Sequence, residues 1–214
     1  MKNVIKTIKS YLPSVILAIL IICTGVTGAV YAKYLTRIEK SASLSVDAYG
    51  HMDIALCEGG DKADAWQSES FNIIPGTQID CDPYVYLGAG NEAGYIYIKV
   101  VESIGGGLTF SEYVQYSVNT GAGEWTLLSQ NGNEKIYWRF VAVSNSERYF
   151  DIISGSQIAF PDTITEAKMT ALGGNAVSIR ITAYSCHSTN VAGTVNTTPH
   201  AQAVWSALQT ELNK

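Results

Sequence analysis

The chain has 214 residues, 47% hydrophobic and only 15% charged, with 19 glycines, 13 tyrosines and a formal net charge of −5. A chain of this size suits one main domain, and the acidic balance excludes a nucleic-acid binder, which needs clustered Lys and Arg. Few charges among many Gly, Ser, Thr and Tyr fit an all-β extracellular domain better than a helical one.

Residues 1–32 read as a signal peptide or membrane anchor. Lys2, Lys6 and Lys9 precede an apolar core over Val15–Cys23, small residues follow, and Val30-Tyr31-Ala32 offers a cut between Ala32 and Lys33. The uncharged run Tyr11–Ala32 also has about the length that a hydrocarbon core of ~30 Å requires, so retention as a membrane anchor is the alternative. Either way the remainder is expected outside the cytoplasm, touching a membrane only through an uncleaved N-terminus. Cutting there leaves 11 basic and 19 acidic side chains.

Residues 33–41 form a charged arm without clear period. The domain proper is expected over 42–214. Ala42, Leu44, Val46 and Ala48 alternate with polar residues as a first strand, and His51–Cys57 reads as a second. Pro75-Gly76 is a turn signal. Beyond it, Val85 and Leu87 alternate with Tyr84 and Tyr86, and Ile96, Ile98 and Val100 alternate with Tyr95, Tyr97 and Lys99. The Gly/Asn-rich connection 88–94 predicts two antiparallel strands joined by a loop, with the aliphatic set inward and the aromatic set outward.

Val114–Val118 and Trp125–Leu128 read as short strands, and Lys135–Val143 as a longer one with Ile136, Trp138, Phe140 and Ala142 on one face. Residues 155–174 read as a long connection. Ala176–Ser185 alternates again, with Val177, Ile179, Ile181 and Ala183 inward. The period then changes. Thr198-Pro199 is a helix start, and Ala201, Val204, Trp205 and Leu208 keep helical spacing, so a helix over 199–212 is expected to plug one end of the sheets. Many short strands at regular spacing predict a β-sandwich.

Several stretches together resemble the TasA/camelysin family of exported bacterial proteins. Thr27–Thr36 is similar to that family's cleavage region, and Ile73–Pro83 to its Pro-Gly…Asp-Lys-Asp-Pro motif. Ile179–His187 is similar to its Thr-Ala-Tyr-Ala-x-Gln strand, and Ala203–Leu208 to its closing Ala-x-x-Trp helix. Cys81 stands where the family has Lys, Cys186 where it has an aliphatic, and His187 where it has Gln. The resemblance implies a jelly-roll sandwich and cleavage by a signal peptidase of the SipW type. For the best-known members it also implies assembly into matrix or biofilm fibres, the segment after the cut completing a neighbour's sheet.

The segment Lys33–Ala48 is therefore the main functional candidate. Leu44 and Val46 suit a strand added to an exposed sheet edge, and Tyr34, Leu35 and Ile38 suit docking on a neighbour. The plainer reading makes residues 42–48 the first strand of their own sandwich. A head-to-tail contact of this kind does not close, so the partner is another copy or a related matrix protein. Tyr84, Tyr86, Tyr95 and Tyr97 are expected to form one aromatic patch suited to protein or carbohydrate, unless a loop covers them. Cys57, Cys81 and Cys186 can supply one disulfide and leave one thiol; the pairing stays open.

No catalytic residue, metal site or cofactor is expected. His51, His187 and His200 are scattered, no His-Glu-x-x-His occurs, and Asp47, His51 and Asp53, or Asp80 and Asp82, read as solvated turn residues. The expected role is a secreted structural protein of the cell surface or extracellular matrix. A camelysin-like metallopeptidase and an adhesin or sugar-binding module are the alternatives.

Overall fold

The computed structural model describes residues 35–38, 52–58, 61–65, 69–70, 73–121, 123–188 and 191–212. Within them the chain is mostly β-strand in antiparallel sheets, with few helices and one near the C-terminus. The large sheet runs in the order β1 (Leu35–Ile38), β12 (Val177–His187), β7 (Gly94–Ile104), β9 (Glu134–Val141), β8 (Thr126–Asn131), and β4 (Glu69–Ser70) also pairs with β12. The second sheet is β10 (Arg148–Asp151), β6 (Tyr84–Leu87), β2 (Ile54–Glu58), β3 (Asp61–Ala65). A small pair, β5 (Gln78–Asp80) with β11 (Gln157–Ala159), stands apart.

Period-two alternation explains which residues meet. Ile96, Ile98 and Val100 of β7 and Ile179, Ile181 and Ala183 of β12 point to one face of the large sheet. They share a buried core with Ile54, Leu56, Val85, Leu87 and Phe150 of the second sheet, so the two sheets face each other across it. Fully burying one such aliphatic side chain is worth about 1.5–3 kcal/mol. Trp125, Phe110, Tyr113, Ile158 and Phe160 close the core from the connections.

The opposite face of the large sheet is also buried. Tyr95, Tyr97, Ile136, Trp138, Tyr184 and Cys186 form a second cluster with Ala201, Val204, Trp205 and Leu208 of α2 (Thr198–Leu212). Helical spacing gathers those four residues into a stripe, while Gln202, Ser206, Gln209 and Thr210 stay exposed.

Several expectations are corrected. The helix covers a sheet face and does not plug an end. β6 and β7 are not a hairpin, because β6 pairs with β2 and β10 while β7 pairs with β12 and β9. Both send aliphatics into the same core, but from opposite layers. The connection between them is fastened where Gly88 N donates to Asp53 O (2.8 Å) and Gly90 N to Ser144 O (2.9 Å). Residues 114–118 are not a strand and touch their neighbours through the single bridges Gln115–Ala159 and Val118–Ile153. The connection 155–174 holds β11 and a one-sided helix, α1 (Glu166–Leu172). Thr165 caps α1 by accepting from Lys168 N at 3.3 Å, and Gly173, at φ +54, ends it. The expected first strand, 42–48, and the segment 1–32 lie outside the described residues.

Candidate functional site

The margin of the large sheet at β12 is the first candidate. β12 has an unbroken ladder with β7 on one side, from Val177 opposite Ile104 to His187 opposite Gly94. Its other side is divided. β1 pairs with the C-terminal half in the register Leu35–Cys186, Thr36–Ser185, Arg37–Tyr184, Ile38–Ala183. β4 pairs with Ser178 and Ile179 at the other end. Between them Arg180, Ile181 and Thr182 face no strand on that side among the described residues.

The arm that looked irregular thus contains a four-residue strand. It carries no alternating pattern because its place depends on a ladder with β12, 145 or more positions away in sequence. Chain length lets it reach elsewhere: the 13 residues between Ile38 and Met52 can extend to at most ~45 Å.

The second candidate is the aromatic face beneath α2. Two tyrosines fasten the helix through their hydroxyls. Tyr97 Oη donates to Ala201 O at 2.8 Å. Tyr95 Oη lies 2.8 Å from His200 Nδ1 and accepts from Asn196 N at 2.7 Å. His200 Nε2 lies 2.9 Å from Val191 O, and a carbonyl only accepts, so the proton sits on Nε2 and Nδ1 accepts from Tyr95. The rings stack in turn, Tyr95 on Tyr97 at 6.0 Å and Tyr97 on Trp205 at 5.0 Å. Burial holds both tyrosine hydroxyls above their ordinary range and pushes the Cys186 thiol up to about 12.

Gly193 is required here: its φ is +142, and a Cβ would come within 2.8 Å of His200 Cδ2. Its neighbours Ala192, Thr194, Thr197 and Pro199 line a shallow depression of about 480 Å³ beside His200. Both ring nitrogens of His200 are already engaged, so the depression holds no unused polar group of that ring.

The expected single tyrosine patch is divided between layers. Tyr95 and Tyr97 are fully buried under α2. Tyr84 and Tyr86 lie on the second sheet, around Tyr149, with centroids 5.7 and 5.5 Å away. Tyr86 Oη donates to Glu147 Oε1 (2.8 Å) and Tyr149 Oη to Glu147 Oε2 (3.2 Å), and Tyr149 is 50% exposed.

The three cysteines are buried in different places. Cys81 is in the core between sheets, Cys186 is in the cluster under α2, and Cys57 sits opposite Tyr84 in the second sheet. The large sheet separates Cys81 from Cys186, which excludes that pairing. Leu35 and Ile38 are in β1; Ala32, Lys33, Tyr34, Leu44 and Val46 lie outside the described residues.

Sequence reading missed two polar groupings, His200–Tyr95–Asn196 and one around Glu102. Glu102 is nearly buried, and its Oε1 accepts from Tyr116 Oη (2.7 Å) and from Lys135 Nζ (2.6 Å). Burial, and then the carboxylate of Glu102, push the Tyr116 hydroxyl far above its ordinary range. Each grouping joins residues remote in sequence, so no local motif marks it. Among the described residues no three His, Cys, Asp or Glu side chains are placed to hold a metal ion, and no helix is long and apolar enough to cross a membrane.

The chain was compared with known proteins, and it matches no family model, no curated protein and no solved structure.

Proposed function

We propose that this is an exported structural protein of the bacterial cell surface or extracellular matrix, similar to TasA and camelysin. It joins copies of itself, or a related matrix protein, by exchanging β1. On this reading the two facing sheets belong to a jelly roll. A signal peptidase of the SipW type removes residues 1–32, and the chain works without catalysis or cofactor.

One observation carries the reading: the strand just past the expected cut lies at a sheet margin and pairs, among the described residues, with β12 alone. A strand in that position can leave with the β12–β7 ladder behind it intact, and the edge of β12 it uncovers can be taken by the same strand of another copy. The ladder is identical in both cases, so its hydrogen bonds, each worth about 0.5–1.5 kcal/mol net, nearly cancel. Linker entropy and local concentration then decide whether β1 folds back or crosses over. Where each copy takes its strand from one neighbour and gives its own to a different one, the contact repeats without closing.

Deleting residues 33–41 tests this. The exported variant should stay folded, melting at a lower temperature because the edge of β12 loses its ladder, and should form no filaments under the electron microscope. Filaments of unchanged number and width would sink the proposal.

A further inference from the structure

The large sheet has a second margin, at β8. We infer that β8 is a self-pairing edge, through which two copies of the chain join their large sheets as an antiparallel β8–β8 ladder about a twofold axis. The inference does not depend on exchange of β1, which concerns the other margin.

β8 pairs with β9 on one side, and on its other side it faces no strand among the described residues. Its six residues, Thr126-Leu127-Leu128-Ser129-Gln130-Asn131, include no charge and no proline. All but Leu128 are exposed, and Leu127 is 45% exposed. Sheet edges of soluble proteins are ordinarily blunted by charge, proline, shortness, a bulge or a covering element, and of these β8 has the bulge between Leu127 and Ser129.

The other margins here follow that rule. β1 contains Arg37; β3 contains Asp61, Lys62 and Asp64; β10 contains Arg148 and Asp151; β4 contains Glu69; and β5 contains Asp80. β11 is uncharged, but it is three residues long and its far side meets Gln115. β8 alone among the described margins is long and neutral with no further strand on its outer side, the C-terminal helix meeting it across one face at Leu128.

Neutrality also selects the occupant. A twofold axis places each strand against its own reversed copy, so a charged strand would oppose like charges, which is destabilising. β8 has none to oppose, and Ser129, Gln130 and Asn131 bring hydroxyl and amide groups able to bond across. Translation of one copy onto the next is the less suited arrangement. The order β1-β12-β7-β9-β8 is antiparallel throughout, so β1 and β8 run in the same direction. Placing one copy's β8 beside another's β1 would therefore give a parallel ladder, slightly weaker per residue, against a strand bearing Arg37. The shift in register between Leu127 and Ser129 bends the strand, so the self-ladder is short and the dimer reversible. A twofold contact closes on itself. It therefore makes pairs, and where filaments exist it ties two of them side by side.

Sedimentation equilibrium of the exported protein, of a Ser129→Lys/Gln130→Lys variant and of the 33–41 deletion tests this. The 33–41 deletion, which has no strand to exchange, should show a concentration-dependent monomer–dimer equilibrium, and the unaltered protein should show the same dimer step alongside its larger assemblies. The lysine variant should weaken it by roughly tenfold or more, with its thermal midpoint unchanged. A monomer at every concentration reached, a dimer unaffected by the lysines, or a dimer lost only on deleting 33–41 would each overturn the inference.

Discussion

The two margins of the large sheet are built to opposite rules. Behind β1 stands β12, whose residues are buried on both faces through its C-terminal half, from Ile181 to His187. At the other margin stands β8, which is exposed along most of its length. A strand buried on both faces still has a backbone edge, and its unpaired N–H and C=O groups cost several times what they would in water. β12 therefore needs a covering strand from some source, and β8 does not. The contrast separates a margin that must be filled from one that can be used or left alone.

The largest expected contrast is in stability. Ile179→Ala on β12 removes a side chain that is 1% exposed and should cost about 2–5 kcal/mol, whereas Leu127→Ala on β8 should cost under about 1 kcal/mol. Chemical denaturation of both variants checks this, and equal losses would erase the distinction between the margins.

A middle-sized effect is expected under α2. Tyr95→Phe strands the Asn196 N–H and the His200 Nδ1, so it should cost roughly 2 kcal/mol, more than Tyr97→Phe, which loses one bond to Ala201 O. The same denaturation measurement ranks the two.

The smallest effect is one of pH. Burial holds Tyr95, Tyr97, Tyr116 and Tyr137 above the ordinary phenol pKa of about 10, so the fold keeps their neutral form. Their contribution is complete below pH ~10 and is lost as pH rises beyond it. An ultraviolet titration should show these phenols lagging behind the exposed ones and ionising only as the sheets come apart. Smooth titration of all the tyrosines near pH 10 with the fold intact would contradict the burial.

Much of this architecture is legible in the chain. Alternation in 84–87, 95–100 and 177–183 names the inward residues, and the helical stripe of Ala201, Val204, Trp205 and Leu208 marks the final helix. Alternation does not say which sheet a strand joins, so 84–102 reads as a hairpin although its two strands lie in different layers. Nor does it tell solvent from a covering helix: Tyr95 and Tyr97 suit either, having a ring to bury and a hydroxyl to satisfy. α1 is short, yet Thr165 before it and Gly173 after it are ordinary start and stop signals that a reading of 155–174 as plain connection passes over. β1 was hidden for a different reason, since a four-residue strand held by one distant partner has no period of its own.

The register of β1 on β12 offers the most direct test of strand exchange, because it sets position 35 opposite the native Cys186. In a Leu35→Cys variant, oxidation joins whichever chains share that ladder. If β1 crosses between copies, a non-reducing gel of the assembled protein should show a series of covalent multimers that collapses to monomer on reduction. A bond formed wholly within single chains, leaving only monomers while filaments are present, would contradict the account.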